Sequence, residues 1–219
     1  MNTEVLIDHI TQLVLKELKA IGDLTPAPEV RDKIPVGISN RHVHISQAHL
    51  DILFGPGSFL SKERDLSQPG QYAAVQEVTL VGPKGVIQHV RILGPERKQT
   101  QVEIAISDCF VLGIQAPIRD SGQLKGSASI TIVGPKGSVT LEEGCIIAAR
   151  HIHMSPEDSE YFQVKDGDRV NVSVPGMRGI VFAEVLVRVH PSYRLEMHLD
   201  RDEANAASLR NGEPVMMVK

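Results

Sequence analysis

The chain has no tryptophan, and only 4% of its residues are aromatic. A carbohydrate platform or a single-strand stacking surface, both of which need exposed rings, is therefore disfavoured. There is no long basic run, and 23 lysines and arginines against 27 acids leave a net charge of -4. Nucleic acid is thus a poor partner, and an OB-like nucleic-acid barrel is weakened as a reading. No run of about 18 apolar residues occurs, so no helix is expected to span a membrane. The two cysteines, Cys109 and Cys145, lie outside any CxxC pair. They fit a reduced, cytosolic compartment and buried structural roles better than a disulfide or a nucleophile. Glu4 and Asp8 stand where a secretory signal would be basic, and the chain is expected to stay in the compartment where it is made.

What is present is globular in balance: 42% hydrophobic and 23% charged over 219 residues, enough for two modest domains. Residues 4–21, "EVLIDHITQLVLKELKAI", place Leu6, Ile10, Leu13, Val14, Leu18 and Ile21 on one helical face. Pro26, Pro28 and Pro35 then break helical pattern. The apolar face of this tethered helix must bury against its own domain or against a partner, and both remain open.

From residue 34 the period changes to two. Three segments read as hairpins around Gly/Pro turns: "EVTLVGPKGVIQHVRIL", "ASITIVGPKGSVTL" and "VNVSVPGMRGIVFAEVLVRV". VGPKG recurs at 81–85 and 133–137; lacking the further Gly-Lys-Ser/Thr of a phosphate loop, it reads as turn chemistry. Short strands at regular spacing argue for barrels or sandwiches. Helix starts are marked by Ser46, by Ser155-Pro156-Glu157-Asp158 and by Asp200-Arg201-Asp202-Glu203.

Against this background "RHVHIS" at 41–46 is repeated as "RHIHMS" at 150–155. On a strand, residues i and i+2 share a face with Cα atoms about 6.5–7 Å apart, so two imidazoles there lean onto one ion. On a helix they would lie about 200° apart. His42/His44 and His151/His153 are therefore two half-sites. A third ligand is expected downstream of each. "RVHPSYRLEMHLD" supplies His198, and "ILGPERKQTQVEIAISD", aligned proline loop to proline loop, puts Glu103 in its place. Three protein ligands with an open position mark a catalytic zinc more than a structural one. Co²⁺, Ni²⁺ and Fe²⁺ suit the same donors. Arg97, in the loop feeding Glu103, is placed to grip a phosphate bidentately. Arg41 and Arg150 fall on the opposite strand face and are expected to pair with acids or stay unpaired. His9, His49, His89 and His190 lack such partners and read as structural.

These blocks, with "VGISNRHVHIS", "GCIIAARHIHMSPED", "VKDGDRV" and "LEMHLDRDEAN" in order, resemble the PduL-type phosphotransacylases, or phosphate propanoyltransferases, of bacterial microcompartments. The resemblance covers nearly all of residues 34–219. It implies a mainly β fold of two barrel domains capped by short helices, with 34–40 plus 150–219 forming one and 41–149 the other. It implies two Zn²⁺ per chain, held by His42, His44 and Glu103 and by His151, His153 and His198. It further implies phosphate on Arg97, CoA along Ser39, Arg91, Leu93 and Asn205, and a homodimer. Residues 1–21 look like an encapsulation peptide and 22–33 like its linker, which places the chain in the cytoplasm within a microcompartment. Acyl-CoA and phosphate are the implied substrates, propanoyl or acetyl being the acyl group. A binuclear hydrolase of a thioester or phosphate ester, and a non-catalytic zinc scaffold, remain as rival readings.

Overall fold

The computed structural model describes residues 7, 11, 12 and 33–218. The chain divides into two units, Met1–Asp32 and Lys33–Lys219. The amphipathic helix and its linker lie outside the described residues, except that Ile7, Thr11 and Gln12 are helical. There the Thr11 hydroxyl donates to the Ile7 carbonyl at 2.8 Å.

The second unit is mainly β. One closed barrel joins β1 (Lys33–Ser39), β10 (His151–Met154), β11 (Arg169–Val174), β12 (Ile180–Val189), β13 (Glu196–Asp200) and β14 (Pro214–Val218) in the order β1-β13-β10-β12-β11-β14. The intervening strands build a second ring from β2 (His42–His44), β4 (Tyr72–Val81), β5 (Val86–Gly94), β6 (Gln101–Glu103), β8 (Ala128–Val133) and β9 (Ser138–Ala148). Its closure follows from pairing of β4 with β8 and of β8 with β9, while β3 (Lys62–Asp65) and β7 (Ile118–Arg119) flank it. Closure leaves the ring strands without the unpaired edges that invite aggregation.

The two rings repeat one plan. β2 runs parallel to β5 and antiparallel to β6; β10 runs parallel to β12 and antiparallel to β13. Each hexapeptide follows a strand of the other ring: β1 leads to β2, and β9 leads to β10. Alternation explains the cores. Val78, Leu80, Val90 and Ile92 fill one ring, and Val172, Val174, Val185 and Val187 the other. Each such burial stabilises by about 1.5–3 kcal/mol.

All three predicted hairpins form, as β4–β5, β8–β9 and β11–β12. Three of the helices also start where the capping residues indicated, and a fourth, Ile106–Leu112, is not marked in the sequence. Ser46 caps α1 (Gln47–Phe54), which ends at Gly55. Between β6 and β7, α2 (Ile106–Leu112) begins with Asp108 accepting from the Ala105 backbone N–H at 3.1 Å. Ser155 caps α3 (Pro156–Phe162), and Asp200 caps α4 (Arg201–Ala206).

Both VGPKG segments are turns, and each closes a helix. The backbone N–H of Lys84 donates to the Leu112 carbonyl at 3.0 Å, and that of Lys136 to the Leu53 carbonyl at 2.9 Å. They satisfy carbonyls that the last turns of α2 and α1 leave free. So close an approach needs a residue without Cβ, because a Cβ on Gly82 would sit 2.2 Å from the Leu112 oxygen.

Candidate metal centre

The strand register aims the histidines. On β2, His42 and His44 share a face, and His42 lies opposite Glu103 of β6. On β10, His151 and His153 do the same, and His151 lies opposite His198 of β13. Register partners in a sheet present their side chains side by side, so each doublet acquires its third member from the antiparallel neighbour. In the first cluster His42 Nε2 is 3.2 Å from His44 Nε2 and 3.4 Å from Glu103 Oε2, and His44 Nε2 is 3.8 Å from Glu103 Oε1. In the second, the ring centroids of His151, His153 and His198 lie 4.6–5.0 Å apart. One donor atom from each residue falls within 4.8 Å of the others in both trios.

Backbone carbonyls set the tautomers. His42 Nδ1 donates to the Asn40 carbonyl and His151 Nδ1 to the Ala149 carbonyl, both at 2.8 Å. A carbonyl only accepts, so in the neutral rings Nδ1 holds the proton and Nε2 keeps a bare lone pair. Nδ1 of His153 is buried without a hydrogen-bond partner among the described residues, a condition that costs about 1–3 kcal/mol. Converging lone pairs beside a carboxylate fit a divalent cation of borderline softness.

The charges are tuned to the same end. Burial, with His42 beside it, holds the His44 imidazole well below the usual histidine range. Burial and then His198 lower His151 to about 4. For His153, burial, His151 and His198 together give about 2. Burial alone would raise Glu103, but His42, His44, a Ser121 hydrogen bond and Arg97 bring it down to about 2. Neutral imidazoles and an ionised carboxylate are the forms that bind metals.

A polar frame surrounds the trios. Arg97 is fixed by its backbone N–H to the Ile45 carbonyl at 2.8 Å, and its Nη1 donates to Ser121 Oγ at 3.4 Å. Ser121 donates to Glu103 Oε1 at 3.0 Å and accepts from Gln101 Nε2 at 2.8 Å. In the other ring Glu196 occupies the place of Gln101, since it opposes His153 as Gln101 opposes His44. Its Oε2 lies 2.9 Å from His198 Nε2 and accepts from the Ser67 hydroxyl and from Gln68 Nε2 at 3.3 Å. Gly37 makes room for it, because a Cβ there would be 2.7 Å from the Glu196 carboxyl carbon.

Sequence reasoning missed Ser121 and Glu196. For Glu196 a signal existed, as it stands two residues before His198 on a strand. Ser121 sits in an Asp-Ser-Gly turn, where nothing local marks it.

The other named residues fall as follows. Arg41 pairs with Asp108 at 2.7 Å and Arg150 with Glu203 at 2.8 Å, each acid sitting in the first turn of the helix after the third cluster member. Arg91 and Leu93 stand beside His42 and His44 in the parallel register, and Arg91 pairs with Glu63 and Glu77, each at 3.0 Å. Ser39 ends β1 beside Asp200, and Asn205 is exposed on α4. His49, His89 and His190 bond to Thr100, Glu77 and Ser192, while His9 lies outside the described residues. Burial pushes the Cys145 thiol up to about 12.

The family model described as phosphate propanoyltransferase matches residues 35–210. A phosphate propanoyltransferase of Thermotoga maritima is 54% identical over 85% of this chain and 89% of its own length. That of Rhodobacter capsulatus is 51% identical over 98% and 97%, and that of Salmonella typhimurium 52% identical over 84% and 88%. With matching blocks, doubled barrel and paired ligand-like trios in agreement, this chain belongs to the phosphate propanoyltransferase family.

Proposed function

We propose that this acyltransferase exchanges an acyl group, propanoyl or acetyl, between CoA and inorganic phosphate at a dinuclear zinc site. The observation that carries the reading is the duplication: two convergent three-donor clusters, with Arg97 acting on the first and Glu103 linking it electrostatically to the second. The charge of Arg97 reaches Glu103 and His44, and Glu103 in turn acts on His151.

His42, His44 and Glu103 would hold one ion, and His151, His153 and His198 the other. Such ions supply Lewis acidity toward a phosphate dianion and a departing thiolate. Arg97, tethered through Ser121, holds and partly neutralises the phosphate, turning an encounter of two solutes into a local step. A phosphate oxygen forms a bond to the thioester carbonyl carbon, the C–S bond breaks, and the electron pair leaves with sulfur. Acyl phosphate and CoA result. Ser39, Arg91, Leu93 and Asn205 are the proposed CoA contacts. The high Cys145 pKa supports a route with no cysteine nucleophile.

The proposal includes the division into 34–40 plus 150–219 and 41–149, a homodimer, and recruitment into a microcompartment through residues 1–21. The patterned face of Leu6, Ile10, Leu13 and Val14 supports the last. The test is thiol release from propanoyl-CoA and acetyl-CoA with and without phosphate, alongside zinc per chain. Phosphate-dependent release with two zinc ions is expected. Release indifferent to phosphate would instead mark a hydrolase.

A further inference from the structure

The duplicated plan supplies an internal control for every position around the clusters. β12 stands to β10 as β5 stands to β2. In the parallel register Leu93 neighbours His44, and the corresponding neighbour of His153 is Arg188. One cluster thus has an aliphatic side chain where the other has a guanidinium. Register neighbours lie about 4.8 Å apart across the sheet, and Arg188 shares the face of His153.

From this placement we infer that Arg188 is a second phosphate-binding guanidinium, acting with Arg97 at the His151/His153/His198 end of the site. The inference rests on the phosphotransacylase reading above.

Three further observations support it. Among the described residues, Arg188 makes no ion pair of the kind that neutralises Arg41, Arg91 and Arg150. Its charge is felt by His151, by His153 and by Arg97, whose pKa is lowered first by burial, raised by Glu103 and lowered again by Arg188. Two half-buried guanidiniums that repel each other call for an anion, and a phosphate dianion offers enough oxygens for both. The asymmetry also gives direction. Glu103 puts a carboxylate among the three donors of the first cluster, whereas the second has three imidazoles with Arg188 beside His153, and its nearest carboxylate, Glu196, stands outside the trio against His198. The dianion belongs at the second cluster, and the acyl and sulfur atoms belong beside Leu93.

The test uses the full zinc-loaded chain with Arg188→Ala and Arg188→Lys. Losing one charged hydrogen-bonding partner raises the phosphate KM on the order of 10- to 100-fold in Arg188→Ala. Arg188→Lys recovers part of this, since it keeps the charge but not the fork. The acyl-CoA KM stays within about two-fold, as expected when only one substrate loses contacts. Zinc per chain is unchanged, and the rise in melting temperature caused by added phosphate shrinks in Arg188→Ala. An unaltered phosphate KM and unaltered phosphate stabilisation would overturn the inference. So would an equal loss toward both substrates, or loss of zinc or of folding in both variants. Failure of the underlying reading shows separately, as wild-type protein whose thiol release does not depend on phosphate.

Discussion

Ser107 and Asp202 occupy the same position in the two halves of the duplication, four residues beyond Glu103 and His198, and they bind each other. The Asp202 carboxylate accepts from the Ser107 backbone N–H at 2.7 Å and from its hydroxyl at 2.8 Å. The contact joins α2 to α4, the helices that follow the third member of each cluster. Both residues are accessible to water, so Asp202→Ala is expected to cost only about 1 kcal/mol, or about 2–4 °C of melting temperature by calorimetry.

Each cluster needs all three of its members. Glu103→Ala and His198→Ala are each expected to lose bound metal and to lower turnover by more than about 100-fold. Metal analysis beside the thiol-release assay decides it. Cys109→Ala and Cys145→Ala keep activity; a dead cysteine variant with full metal content would contradict the mechanism.

Glu196 touches His198 without being one of the trio. Glu196→Gln preserves shape but removes the charge facing His198 Nε2. Zinc affinity is expected to fall about 10- to 100-fold, measured by competition with a chelator. Unchanged affinity would assign Glu196 only to the contacts with Ser67 and Gln68.

The VGPKG turns make a prediction about stability alone. A methyl at Gly82 meets the Leu112 oxygen at 2.2 Å, and one at Gly134 meets the Leu53 oxygen at 2.6 Å. Gly82→Ala and Gly134→Ala are each expected to cost about 1–3 kcal/mol through displaced backbone. Denaturant unfolding should show this for both, with no change in zinc per chain for the folded fraction.

Acid should weaken the metal-free protein. His151 and His153 titrate near 4 and near 2 when folded, mainly because they are buried, against 6.5 ordinarily. Below pH 6.5 the unfolded chain takes up protons that the folded chain refuses, so stability rises with pH in this range. What is present above 6.5 is lost as the pH falls toward 4 and below. Melting of chelator-treated protein from pH 8 to 4.5 should fall on the acid side; a flat profile would contradict the burial of these rings.

Much of this was readable from short stretches. An imidazole doublet at i and i+2, a capping serine or aspartate, and a Gly-Pro turn each express physics confined to a few residues. They gave the strands at His42 and His151, the starts of α1, α3 and α4, and the three hairpins. Aligning the two halves also found Glu103 and His198, because a duplication writes long-range pairing twice.

Other features depend on where separate strands and loops come to rest. Ser121 gains meaning only when its turn passes Glu103 and Arg97, and Ser67 and Gln68 only when their loop reaches Glu196. Nothing in "RVHPSYRLEMHLD" says that Arg188 stands beside His153, since that follows from the parallel register of β10 and β12. The sequence by itself determined which side chains share a strand face and which residues start helices, because backbone geometry repeats over two to four residues. Only the tertiary structure decided which faces meet, because the choice of neighbours rests on closing two barrels whose paired strands lie far apart along the chain.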